Sequence, residues 1–180
     1  MRRIPATILS SILLVLISLF CAQSFAQMPS PAPELKKLDF LAGNWTDQAD
    51  MKASPMGPGG KMTMTEKNEW MPGGFFLTLH STFTGQMGSG SGIAFMGYDA
   101  DAKQYTYDEF NSMGQRTHST GSVDGDTWTW LGDQKMGDQT MKGRFTMKVL
   151  SPTSYSFKFE MSQDGTTWNT VMDGKSTKEK

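Results

Sequence analysis

"MKGRFTMKVLSPTSYSFKFEM", residues 141–161, alternates apolar and polar side chains with a period of two on both sides of a proline. Met141, Phe145, Met147 and Val149 fall on one side, with Lys142, Arg144, Thr146 and Lys148 on the other. Beyond Pro152, Tyr155, Phe157, Phe159 and Met161 repeat the pattern against Ser156, Lys158 and Glu160. Successive strand residues point to opposite faces, so these are two strands that each bury one face and meet at a turn. Trp168 and Met172 continue the apolar side into a further strand.

The same alternation extends back to Trp45. Segments at about 44–53, 61–71, 74–84, 91–98, 103–111, 115–123, 126–133, 139–150, 153–162 and 166–174 read as ten strands. Asp124-Gly125, Asp164-Gly165 and Pro152 supply turns, and "GPGG" (57–60) and "GSGSG" (88–92) are expected at loop tips. A phosphate-binding loop would open a helix, whereas a strand follows each glycine run. Before the strands, Pro33 suits a first helical position, Leu35, Leu38 and Leu41 lie near helical spacing, and Gly43 is a stop. This predicts one short helix over about 33–41. Ten antiparallel strands without a second helix make an all-β fold. Consecutive hairpins favour an up-and-down β-barrel over a sandwich, because closure removes exposed strand edges.

Residues 1–26 have the form of a secretory signal peptide. Arg2 and Arg3 precede an apolar run from Ile8 to Phe20, and Ser24 and Ala26 are the small residues before a cleavage site after Ala26. The run is too short for a stable span. Bulky Phe20 before Cys21 argues against lipoprotein processing, so no stable membrane anchor is expected and the location is secreted or periplasmic. Residues 27–33 are a Pro-rich linker, and 34–178 form a single domain. The 154 residues after cleavage suffice to bury roughly 68–70% of the unfolded surface. Cys21 leaves with the signal, so disulfides, a thiol nucleophile and cysteine metal sites are excluded. Fifteen basic against 18 acidic residues then remain, a formal charge near −3, which makes nucleic acid a poor partner. Nothing in the pattern sets an oligomeric state.

"YTYDEFNSMGQRTHSTG", residues 105–121, gathers the most chemically useful side chains. Strand parity sends Asp108 and Glu109 to opposite faces, which removes a paired-carboxylate glycosidase site. A two-residue turn at Asp124-Gly125 would set Gly121 opposite Trp128 and Ser119 opposite Trp130. With both tryptophans inward, Thr117, Ser119 and Gly121 face inward too. A three-residue loop Ser112-Met113-Gly114, with Gly114 left-handed, places Asn111 opposite Gln115 and Asp108 opposite His118. A four-residue loop would put Glu109 beside Arg116, but the first register also turns Tyr105 and Tyr107 inward and is preferred. Asp108, Arg116 and His118 then face solvent. Glu109 becomes a lone inward carboxylate, available as a tyrosine's hydrogen-bond partner, a ligand anchor or an acid/base.

His80 follows the outward parity of Phe76, Thr78 and Thr82, so the two histidines do not suggest zinc or haem. The methionine-rich stretch Met51–Met64 resembles soft thioether tracts that hold Cu(I), and it equally suits an adaptable barrel wall. Asp99-Ala100-Asp101 lacks the glycine and distal glutamate of a calcium loop and reads as a hairpin turn.

Gly43-Asn44-Trp45 resembles the G-x-W signature of lipocalin and calycin barrels. The runs "GYDADAKQYTYDEFNSMG", "GDTWTW" and "SPTSYSFKFEMSQDGTTWNTVMDGKSTK" resemble the bacterial family called domain of unknown function 1579, over about Glu34 to Lys178. That resemblance implies a calycin-like β-barrel, often exported, with no established activity and no catalytic residues to carry over. Related nitrobindin barrels hold haem through a histidine near the C-terminus, and this chain has none after His118.

The expected function is therefore an exported lipocalin-like barrel for a small, largely apolar ligand. Tyr105, Tyr107, Glu109, Trp128, Trp130, Phe145, Tyr155 and Phe157 are the candidate cavity lining. No catalytic residue, metal ligand or cofactor is assigned. An enzyme using Glu109 as acid or base and a methionine-rich Cu(I)-binding envelope protein are the alternatives.

Overall fold

In the computed structural model the described residues are 29–54, 57–86, 88–136 and 138–179. The signal peptide, Cys21 and the first two linker residues lie outside them, as do Pro55 and Met56 of the methionine-rich stretch. The folded unit spans Pro31–Lys180.

A 3₁₀ helix, Pro33–Leu41, leads into ten antiparallel strands. They are β1 (Gly43–Met51), β2 (Gly60–Trp70), β3 (Leu77–Gly85), β4 (Gly88–Asp99), β5 (Gln104–Asn111), β6 (Arg116–Asp124), β7 (Thr127–Met136), β8 (Gln139–Ser151), β9 (Ser154–Ser162) and β10 (Asn169–Lys178). Each pairs with its neighbours in sequence, and β1 pairs with β10 from Trp45↔Lys178 to Met51↔Met172, which closes the barrel. The up-and-down barrel read from the alternation is the fold.

The helix plugs one end. A 3₁₀ helix has three residues per turn, so side chains three apart eclipse, and Leu35, Leu38 and Leu41 form one buried row. Its last carbonyls have no partners within the helix and are met by the barrel rim. Trp45 Nε1 donates to the Leu41 carbonyl at 2.7 Å, Asn68 Nδ2 to the same oxygen at 3.2 Å, and Lys178 Nζ to the Phe40 carbonyl at 3.0 Å. Tyr105 ties the helix start by donating to the Glu34 carbonyl at 2.9 Å, and Trp70 Nε1 donates to Asp39 at 3.0 Å.

Three expectations are corrected. Gly88–Gly92 is not a loop tip but the start of β4, where Gly90 and Gly92 leave room for other inward groups. A Cβ on Gly92 would lie 3.0 Å from Ser81 Oγ and 3.3 Å from Glu109 Oε1. The β6–β7 turn centres on Gly125-Asp126, with Gly125 at φ 57 and Asp124 opposite Thr127. Gly121 therefore faces Trp130, and Ser119 faces Gly132. The shift is two residues, so parity and the inward set survive. Trp168 does not extend the apolar face: it precedes β10, and the Arg144 guanidinium lies 4.1 Å from its ring centre. The β5–β6 loop follows the preferred register, with Gly114 at φ 77, the Asn111 N–H donating to the Gln115 carbonyl, and Asp108 opposite His118.

Candidate functional site

The plugged end and the opposite end differ in how completely inward side chains are covered. Beside the helix, Trp45, Leu77, Tyr105 and Trp128 are buried. Tyr105 lies 4.7 Å from Trp128 edge to face, and Trp128 stacks on Trp130 at 6.1 Å. Toward the other end, Met62, Met64, Phe83, Glu109, Met141, Phe145, Phe159 and Met172 hold the same inward register but are only half-buried.

At mid-depth the wall becomes polar. Trp45 faces inward, so period two places Asp47 inward as well, 2% exposed. On β2 the face carrying Met62, Met64 and Trp70 also carries Glu66 and Asn68. Asn68 Nδ2 donates to Glu66 Oε2 at 3.3 Å. On β5, the Tyr107 hydroxyl donates to Glu109 Oε2 at 3.0 Å. Ser81 and Gly92 are the small residues that continue the Glu66 row around the wall. Asp47 Oδ1, Asn68 Oδ1 and Ser176 Oγ, on three adjacent strands, are buried without a hydrogen-bond partner.

Protonation follows from this setting. Burial pushes the Asp47 carboxyl up to about 6, partly offset by the neighbouring Ser176 hydroxyl, which stands short of good hydrogen-bond geometry. Burial first, then the charges of Asp47 and Glu109, push Glu66 up to about 7 against the lowering effect of Asn68. Burial and the nearby carboxylates hold the Tyr107 and Tyr155 hydroxyls well above the usual phenol range. Among the described residues the inward register holds no cation in this middle section. Lys178 occupies an inward position only at the plugged end, where it is engaged with Phe40 and lies 5.5 Å from the Trp45 ring centre.

All eight candidate lining residues occupy inward positions. The structure divides them. Tyr105 and Trp128 are fixed in the plugged end, Trp130, Tyr155 and Phe157 are buried around the middle, and Tyr107, Glu109 and Phe145 keep surface free. Glu109 is not a lone inward carboxylate. Asp47 and Glu66 share the interior, and the signal for them was the alternation Trp45-Asp47-Ala49 and Met62-Met64-Glu66-Asn68-Trp70. His80 is exposed on the outer wall. There too, Asp108 bonds His118 Nδ1 at 2.9 Å with Arg116 Nη2 at 3.6 Å. Asp99 Oδ1 accepts from the Asp101 and Ala102 amides, so that pair builds a turn. Among the described residues no three His, Cys, Asp or Glu side chains lie close enough to hold a metal ion. Two depressions, of about 860 and 830 Å³, are lined by strand residues that include Glu66, Lys67, His80 and Ser81 in one and Arg116 and Lys142 in the other. Arg116 and Lys142 already face Asp108 and Asp133.

The sequence profile of a family described as protein of unknown function (DUF1579) matches residues 30–178. The crystal structure of Rv2717c from M. tuberculosis is similar in fold, with a TM-score of 0.59 and 14% identity over 84% of this chain and all of that one. A comparison with curated proteins returned no match.

Proposed function

The chain belongs to the family of proteins of unknown function DUF1579, and we propose that it is an exported barrel that holds a small, largely apolar molecule in the open half of its interior. One observation carries this reading. Inward methionines and phenylalanines at the unplugged end, Met62, Met64, Phe83, Phe145 and Met172 among them, keep surface free, while Trp45, Leu77, Tyr105 and Trp128 beside the helix are buried. Apolar walls with a few convergent polar groups are the usual make-up of a small-molecule pocket. Methionine suits such a wall because its unbranched thioether adapts to irregular shapes. Tyr107, Glu109 and Phe145 line the accessible part of this space, and Trp130, Tyr155 and Phe157 back it. The signal-like first 26 residues support export.

The test is to isolate the protein from the exported fraction of its native cells and extract it for mass spectrometry. The expected result is an apolar molecule enriched over a control preparation, on a chain whose first residue is Gln27. Protein retaining residues 1–26 inside the cell would remove export. An experimental structure with the open half packed solid by its own side chains would remove the binding function.

A further inference from the structure

We propose that the molecule held in the open half carries a cationic amine head, which the carboxylates at mid-depth receive while its apolar body lies against the methionines and phenylalanines. This rests on the preceding reading of an apolar site and adds the chemistry of one end of the ligand.

The geometry points to a cation because of what the interior offers. Asp47 from β1, Glu66 from β2 and Glu109 from β5 face inward, with Tyr107 and Tyr155 as the remaining titratable groups of the middle section. Lys178 is the cation on an inward position of β10, and it is spent on the helix carbonyl of Phe40. The Tyr107 hydroxyl already donates its hydrogen bond to Glu109. Acceptors therefore outnumber donors.

The buried oxygens of Asp47 and Asn68 that have no partner are an independent sign. Asp47 is 2% and Asn68 1% exposed, and a polar atom so placed without a partner costs on the order of 1–3 kcal/mol. Both nearby acceptors of Asn68, the Leu41 carbonyl and Glu66 Oε2, fix its amide nitrogen toward them and leave Oδ1 available. An ammonium group brings up to three donors and a positive charge to such a set. A metal ion fits less well, because no three of these carboxylates are gathered closely enough to ligate one. The raised pKa values of Asp47 and Glu66 agree, since an opposite charge beside them would return them toward ordinary values.

The experiment is isothermal titration of the purified protein at pH 8 with octylammonium, octanol and octanoate, which share a tail and differ in the head. Octylammonium is expected to bind at least about tenfold tighter than octanol, with octanoate weakest. Glu66→Gln and Asp47→Asn should each lower octylammonium affinity about fivefold or more and leave octanol within about twofold, which also shows that the variants fold. Octanol or octanoate binding as well as the amine would overturn the head-group inference and leave the apolar site standing. Methylammonium binding as tightly as octylammonium would keep the acidic site and overturn the apolar one. No binding by any probe would overturn both.

Discussion

One barrel wall, built throughout from alternating strands, serves two different ends. Beside the 3₁₀ helix the inward positions hold Trp45, Leu77, Tyr105 and Trp128, and the helix adds Leu35, Leu38 and Leu41. Toward the other end the same positions hold methionine, phenylalanine, glycine and carboxylates that keep part of their surface free. Closure supplies every strand with hydrogen-bonded neighbours, so neither end needs a filled interior to satisfy its backbone. Filling can therefore be concentrated where the helix sits, and the other half is left able to receive something. Full burial and partial exposure are separated along the barrel axis.

The sharpest way to break this comparison is to delete one large side chain from each half. Leu38 is fully buried in the plug, and Leu38→Ala should cost about 2–5 kcal/mol through lost burial and a residual cavity. Met64 is half-buried on the open side, and Met64→Ala should cost about 1 kcal/mol or less. Urea denaturation with an unchanged m-value is the measurement. Equal losses would mean that both halves are packed alike.

The next effect is a pH dependence confined to the middle section. Asp47 and Glu66 have folded-state values of about 6 and about 7, above their unfolded ones. The native state thus binds more protons than the unfolded state between about pH 4 and 7, and stability falls as pH rises through that window. At pH 8 the penalty is complete. Asp164, held down by the Thr167 and Thr166 amides, and Glu160, held down by Lys158 and Arg144, act with the opposite sign and withdraw their support only as pH falls below the ordinary carboxylate range. Thermal melts should therefore show a higher Tm at pH 5 than at pH 8. Glu66→Gln, which keeps an acceptor for Asn68 without the charge, should raise stability at pH 8 by about 1–3 kcal/mol and flatten the slope between pH 5 and 8. A Tm that rises from pH 5 to 8 would show that these carboxylates are not buried as described.

Much of this was legible in the sequence, for a physical reason: a period of two survives errors of register. The β6–β7 turn lies two residues from its expected register, yet Thr117, Ser119 and Gly121 still face inward because an even shift preserves the face. Gly114 was legible because a three-residue hairpin loop needs a left-handed residue there. Glycines 88 to 92 were misread because glycine signals both turns and strand positions that another side chain must fill, and only tertiary contact decides. Asp47 and Glu66 were missed because a charged residue on an alternating strand is ordinarily the solvent side. The apolar residues two positions away, Trp45 and Met64, carried the contrary signal.

The smallest expected effects come from one strand that presents its residues to both environments. Tyr107 and Glu109 face the interior and share a 3.0 Å hydrogen bond, while Asp108 between them faces out and bonds His118 at 2.9 Å. The bond lengths are nearly equal and the surroundings are not. Tyr107→Phe leaves the Glu109 oxygen without its donor inside the barrel and should cost about 0.5–1.5 kcal/mol. His118→Ala removes a pair whose partners are open to water and should cost only a few tenths of a kcal/mol, falling further in high salt. A double-mutant cycle on each pair, in low salt and in about 1 M salt, isolates the two couplings. An interior coupling no larger than the exterior one, and equally sensitive to salt, would mean that water reaches Glu109 as freely as it reaches Asp108. The middle of the barrel would then be a wet channel and not a sheltered floor for a ligand.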